Sequence, residues 1–232
     1  MIDSFQPLFL AMATFVIGHF VLASLPVRQV LIDKIGNNGF RGLFSVFALV
    51  TLIWAVRCYV AAPYEELWVQ TEALQSIPAA IMPIACIFAI AGVSTRTVTS
   101  VGGETMSPED ARPRGILTVT RHPLMWGFSL WALAHLAPNG DMASLIFFGG
   151  FAFLALAGMA HIDHRRQSVM GSDWGPVALT TSAIPFLAYI QGRTPIDWKG
   201  IGVARLAMGI ALYALLLIAH EWAIGVSPMP GG

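Results

Sequence analysis

The lysines and arginines of this chain fall in alternate gaps between its apolar stretches, and that alternation restricts the fold more than any motif does. Five stretches are long and apolar enough to cross a bilayer, or nearly so: roughly 5–25, 42–62, 74–94, 141–161 and 201–224, with a shorter sixth at 122–137. Arg28, Lys34 and Arg41 share one gap. Arg96, Arg112, Arg114 and Arg121 share the next but one, and Arg165, Arg166, Arg193, Lys199 and Arg205 the next but one again. The intervening gaps, 63–73 and 138–140, hold no Lys or Arg, and neither do the chain ends. Arg57, inside an apolar stretch, is the exception. Basic residues collect in cytoplasmic loops, so this is the pattern of a six-span membrane protein with both ends outside the cytoplasm.

Composition agrees. With 56% hydrophobic and 11% charged residues and a mean hydropathy of +0.69, the chain is unlike a soluble domain. A hydrocarbon core of about 30 Å takes about 20 residues of helix to cross. A lipid-exposed backbone must satisfy its own hydrogen bonds, and the alternation of barrel strands is absent. The expectation is an all-α polytopic protein forming one integral membrane domain over 1–232. Its expected place is a bacterial inner membrane, with N- and C-termini on the periplasmic side and the lipid bilayer as its first partner. The formal net charge is zero, so nothing points to nucleic acid, and no feature names a protein partner. No basic region precedes residues 5–25, which therefore read as a retained span and not a cleaved signal. Cys58 and Cys86 lie within spans and read as packing residues.

Along the chain, Asn37-Asn38-Gly39 predicts a turn in the first basic loop. Pro78 and Pro83 predict a kinked third span. The longest polar stretch, 95–121, holds Gly102-Gly103, Pro108 and Pro113 as breakers. Pro123 suits a first helical position, and Pro138-Asn139-Gly140-Asp141 a tight turn after a short fourth helix. Residues 176–190 are apolar but only fifteen long, with Pro176 and Pro185 interrupting them. They read as re-entrant or interfacial.

Ionisable groups within a membrane are costly and stand as functional candidates. His122, His161 and His164 fall at the cytoplasmic mouth, and His19 one to two turns into the membrane on that side. His135 and His220 lie toward the outer face. His161 and His164, three apart on one helix face, suit metal or haem-associated ligands; an interfacial histidine equally caps a helix end. His19 and His135 are flanked by apolar residues, where either a ligand role or a hydrogen bond to a neighbouring helix accounts for them. Arg121, before His122 at a helix start, suits an anionic head group or a propionate, and also a topological anchor.

Several strings resemble one family. Gly18-His19-Phe20 with Pro26-Val27-Arg28, then Arg121-His122-Pro123-Leu124-Met125, Trp131-Ala132-Leu133-Ala134-His135-Leu136 and Asn139-Gly140-Asp141 are similar to the NnrU family. So are the closing Ala211-Leu212-Tyr213-Ala214 and His220-Glu221-Trp222. The likeness spans nearly the whole chain, and its specific part runs from Arg121 to Asp141. The family is associated with denitrification and nitric oxide metabolism. It includes plant zeta-carotene isomerases, which use haem b to interconvert cis and trans polyenes. The resemblance implies haem b as cofactor, an apolar polyene as small-molecule partner, and His19 and His135 as ligands to the haem iron. Arg121, His122, His161 and His164 stand as further cofactor-binding candidates. The plant pattern has a cysteine three residues before the second histidine, where this chain has Ala132. Two axial nitrogens lie about 4 Å apart, each roughly 2 Å from the metal, whereas the expected depths of His19 and His135 differ by about 10 Å. His19 with His122 or His161 is the alternative constellation.

A second likeness is to membrane methyltransferases of isoprenylcysteine or phospholipid groups. It rests on Arg121-His122-Pro123 and on Gly171-Ser172-Asp173-Trp174. Their paired glutamates are replaced here by Ile162-Asp163. A non-catalytic accessory role beside a respiratory or denitrification complex is the third expectation.

Overall fold

The computed structural model describes residues 2–100, 103, 106 and 112–229, and every regular element among them is helical. In chain order these are α1 (Ile2–Ala23), α2 (Leu25–Ala61), α3 (Glu72–Ser94), a 3-10 turn (Gly115–Thr118), α4 (Pro123–Leu136), α5 (Met142–Met170), a second 3-10 turn (Gly171–Asp173), α6 (Trp174–Thr180), α7 (Leu187–Ile190), α8 (Trp198–Ile201) and α9 (Val203–Ile224). Five of them are long and apolar enough to cross a membrane: α1, α2, α3, α5 with its extension into α6, and α9. The protein is an all-α polytopic membrane protein. α4 is the sixth helix of the alternation, but its 14 residues rise only about 21 Å, short of a hydrocarbon core. Of the breakers expected between 95 and 121, Gly102 and Pro108 lie outside the described residues.

Exposure separates the lipid-facing helices from the packed ones. Only 6% of the apolar window of α9 and 11% of that of α2 is buried inside the protein, against 33% in α3. Trp222 and Ile218 on α9 are almost wholly uncovered. In water such faces would be a defect; in hydrocarbon they are the solvated surface. α5 is central, packed against α1 and α4, while α3 joins α4 to α9. Phe5, Leu8, Phe15, Phe147 and Phe148 form the largest buried cluster, between α1, α2 and α5.

Small residues let α3 and α4 approach closely, as helix pairs do in membranes. A Cβ on Gly92 would lie 2.5 Å from the Leu124 backbone nitrogen, and one on Gly127 would lie 3.0 Å from that of Ala89. The turn expected at Asn37-Asn38-Gly39 is instead helical, and the break falls one residue earlier. Gly36, at φ 72° and ψ 169°, divides α2 into two arms. A straight helix would separate Arg28 from Phe40 by roughly 18 Å; the bend brings the Arg28 guanidinium to 5.2 Å from the Phe40 ring centroid. The first basic loop is thus mostly a short helical arm.

Side-chain and main-chain bonds close the two ends of the bundle. At one end Asp141 caps α5, accepting from the Ser144 amide at 2.9 Å and its hydroxyl at 2.6 Å. Leu67 and Met142 amides pair with the Gly140 and Glu65 carbonyls at 2.7 and 2.9 Å, and Trp68 Nε1 donates to Ala137 O at 3.1 Å. At the other, basic end, Asp197 accepts from the amides of Gly115 and Gly200 at 2.9 and 2.8 Å. Arg193 Nη1 donates to the Leu179 and Thr181 carbonyls at 2.6 and 2.8 Å, satisfying the end of α6. Residues 176–190 do not form a span. They hold α6, an irregular stretch and α7, and their backbone joins the α4 approach through Arg121 N to Ser182 O and Phe186 N to Val119 O, both at 2.9 Å.

Candidate functional site

Arg121, His122 and Asp163 meet where α4 begins beside the basic end of α5. Pro123 opens α4 with His122 as its N-terminal flanking residue, which sets His122 and Arg121 against the last third of α5. His122 is 3% exposed and donates through Nε2 to Asp163 Oδ1 at 2.8 Å. Arg121 Nε reaches Oδ1 and Oδ2 at 3.0 and 2.9 Å, and Nη2 adds a short bond to Oδ2. The Trp174 ring lies 5.6 Å from the guanidinium carbon, within cation–π range. Thr99 Oγ1 donates to Arg121 O at 2.6 Å. One carboxylate therefore engages both basic side chains, and Asp163 is a residue that a reading centred on histidines passes over. Arg121 and His122 are joined to Asp163, not to His19 or His135.

His19 occupies an aromatic enclosure. Its Nδ1 donates to the Phe15 carbonyl at 2.6 Å, and its ring centroid lies 4.4 Å from Phe15, 5.1 Å from Phe44 and 6.0 Å from Phe47. Gly18 faces the ring of Phe47. His135 repeats the local arrangement on α4: Nδ1 donates to Trp131 O at 2.8 Å, with Trp131 and Phe148 at 5.6 and 5.5 Å. In both, a proton held on Nδ1 leaves the Nε2 lone pair outward, the tautomer that a metal-ligating imidazole uses.

The two are not adjacent. Phe15, Phe151 and Trp131 stand between them in a chain of ring contacts of 5.1 and 5.3 Å, because α5 lies between α1 and α4. No ring contact joins His19 to His122 or His161 either. His161 packs edge-on to Phe20 at 5.4 Å, and its Nε2 is buried with no hydrogen-bond partner. His164, its i+3 neighbour, is exposed. No group of three or more His, Cys, Asp or Glu gathers at metal-binding distance among the described residues. The histidine that does stand beside another is His220 of α9, whose ring centroid lies 6.5 Å from that of His135.

These positions fall within a match to the NnrU protein family that runs from residue 7 to residue 228. The chain belongs to the NnrU family. Among curated proteins, this NnrU protein is similar to the chloroplastic 15-cis-zeta-carotene isomerase of Arabidopsis thaliana, at 29% identity over 182 residues. The Zea mays enzyme of the same name is 27% identical over the same length. In each case the match covers 77% of this chain and 49% of the relative, so the chain spans about half the length of the curated relatives it matches. No solved structure matches it.

Proposed function

We propose that this NnrU protein is a membrane isomerase that interconverts cis and trans forms of an apolar polyene reached from the lipid, with haem b as cofactor. The observation that carries the reading is the hydrogen bond at His135, and its repeat at His19, which sets the imidazole tautomer with Nε2 free to bind a metal. The family membership and the two curated relatives supply the substrate class. When bound, haem iron would supply a one-electron or Lewis-acid centre. This chain's own part would be to hold and orient that group through the histidine Nε2, with Trp131 and Phe148 fixing the His135 ring. We place the protein in a bacterial inner membrane with both termini on the periplasmic side, on the arginine pattern alone.

The test uses full-length protein expressed with haem supplementation and purified in detergent. A Soret band that shifts on dithionite reduction, together with conversion of a cis polyene to its trans isomer by chromatography, is the expected result. Folded protein without a Soret band would overturn the haem assignment. A haem-loaded protein that leaves every offered polyene unconverted would overturn the isomerase assignment.

A further inference from the structure

Arg57 is the basic residue that breaks the loop alternation, and the tertiary structure sets it at the mouth of a groove. It lies one helical turn before Ala61, the last residue of α2, about 6 Å along the axis. The arm of α2 from 37 to 61 rises roughly 37 Å, against a hydrocarbon core of about 30 Å. Arg57 therefore falls near the edge of that core, within reach of the lipid phosphates. The Tyr59 hydroxyl, bonded to Ser144 Oγ at 2.8 Å, fixes this end of α2 beside the Asp141 cap of α5. Arg57 is thus at the end of the bundle opposite the Arg121 cluster.

An open cavity of about 340 Å³ lies between the first turns of α1 and the last turns of α2. Ser4 and Arg57 line its mouth, and Pro7, Leu8 and Trp54 line it about one turn deeper on the same two helices. Each helix thus presents a polar residue outermost and apolar ones below. Ala61 and Ala62 complete the wall on the α2 side, where small side chains leave the approach to the guanidinium open. Arg57 is exposed, and among the described residues no hydrogen bond, ion pair or ring contact engages it. Only 11% of the apolar window of α2 is buried inside the protein, so the groove opens toward lipid and not toward another helix.

A positive charge above an apolar floor suits a phosphate that carries acyl chains. A guanidinium grips phosphate through two parallel hydrogen bonds, and the floor takes the chains. A free aqueous anion would leave that floor uncovered. An arginine that merely snorkels to the headgroups needs no walls around its partner, whereas here two helices supply them.

We propose that the α1–α2 groove is a binding site for one anionic glycerophospholipid, with its phosphate on Arg57 and its chains along Pro7, Leu8 and Trp54. The proposal is independent of the haem reading.

The experiment is native mass spectrometry of the full-length protein in mild detergent, titrated with phosphatidylglycerol, phosphatidylethanolamine or inorganic phosphate. Wild-type protein is expected to retain one phosphatidylglycerol more than Arg57→Gln does, with the affinity for that lipid falling by about tenfold or more in the variant. Arg57→Lys, which keeps the charge and loses the fork, is expected to fall between them. Ala61→Phe fills the groove, keeps Arg57 and is expected to lose the same lipid. Added phosphatidylglycerol should raise the Tm of the wild type more than that of Arg57→Gln, while the lipid-free Tm of the two agrees. Equal lipid retention in wild type and Arg57→Gln overturns the site. Retention in folded Ala61→Phe with loss in Arg57→Gln shows surface charge without a groove and also overturns it. Equal retention of phosphatidylethanolamine removes the anionic selectivity, and displacement of the lipid by inorganic phosphate at the same concentration makes this a plain anion site; either result overturns the proposal.

Discussion

The carboxylate of Asp163 holds the guanidinium of Arg121 on both oxygens, across 42 residues of sequence. The same carboxylate also accepts from His122, so the Arg-His pair before α4 is anchored to α5. This ties the basic end of the short helix to α5, which also packs against α1 and α2.

Asp163→Asn leaves Arg121 without its ionic partner and His122 without a charged acceptor. Breaking a buried pair by removing one member costs about 3–5 kcal/mol. With the Arg121 and Asp163 side chains 15% and 18% exposed, water offsets part of that cost and the expected loss falls just below that range, about 2–3 kcal/mol. Thermal unfolding of detergent-purified variants reads it as a lowered Tm, and an unchanged Tm would show that the anchor is not structural.

Gly92→Val is expected to loosen the α3–α4 crossing. Its first added carbon would lie 2.5 Å from the backbone of Leu124, and backbone does not step aside as a side-chain tip does. Overpacking of this kind costs about 1–3 kcal/mol. Gly158 on α5 has nothing within 4 Å of a built Cβ, so Gly158→Ala should gain stability by up to about 1 kcal/mol through helix propensity. Opposite signs at two helical glycines, measured in the same detergent, test the close crossing directly.

Gly36→Ala strains the break in α2. The φ of 72° with ψ of 169° there is a conformation essentially confined to glycine, and an alanine held in it costs about 1–3 kcal/mol. The expected outcome is a lower Tm, with increased proteolysis between the two arms. Equal protease resistance in both proteins would argue against the bend.

Asp197 carries a pH dependence with a definite sign. The amides of Gly115 and Gly200 that bond its carboxylate hold its pKa below the ordinary value of 3.8. A folded pKa below the unfolded one contributes stability that is present above the unfolded value and lost as pH falls through the folded value. The Tm difference between wild type and Asp197→Asn should therefore be full at neutral pH and shrink below about pH 4. A difference that grows on acidification would reverse the assignment.

Ala132, three residues before His135, is fully buried in the packing of α4. In sequence His220 reads as a histidine toward the outer face, as His135 does, and as part of the family-like string His220-Glu221-Trp222, with nothing in its spacing to set it beside His135.

Local composition was enough to determine the all-α membrane architecture and the long helices. Hydrophobic length and the arginine alternation act within single segments and need no knowledge of neighbours. The shortness of α4, the failure of 176–190 to span, and the turn at Pro138-Asn139-Gly140-Asp141 also followed from residues close in sequence. Which side chains meet across helices did not. A histidine on an apolar helix carries no label for its partner, and rotation about the helix axis, set by small-residue crossings such as Gly92 against Leu124, decides where it points. Tertiary packing put three aromatic rings between His19 and His135, joined Arg121 and His122 to Asp163, and set His220 opposite His135, because contacts between distant segments are chosen by the fit of whole helix faces.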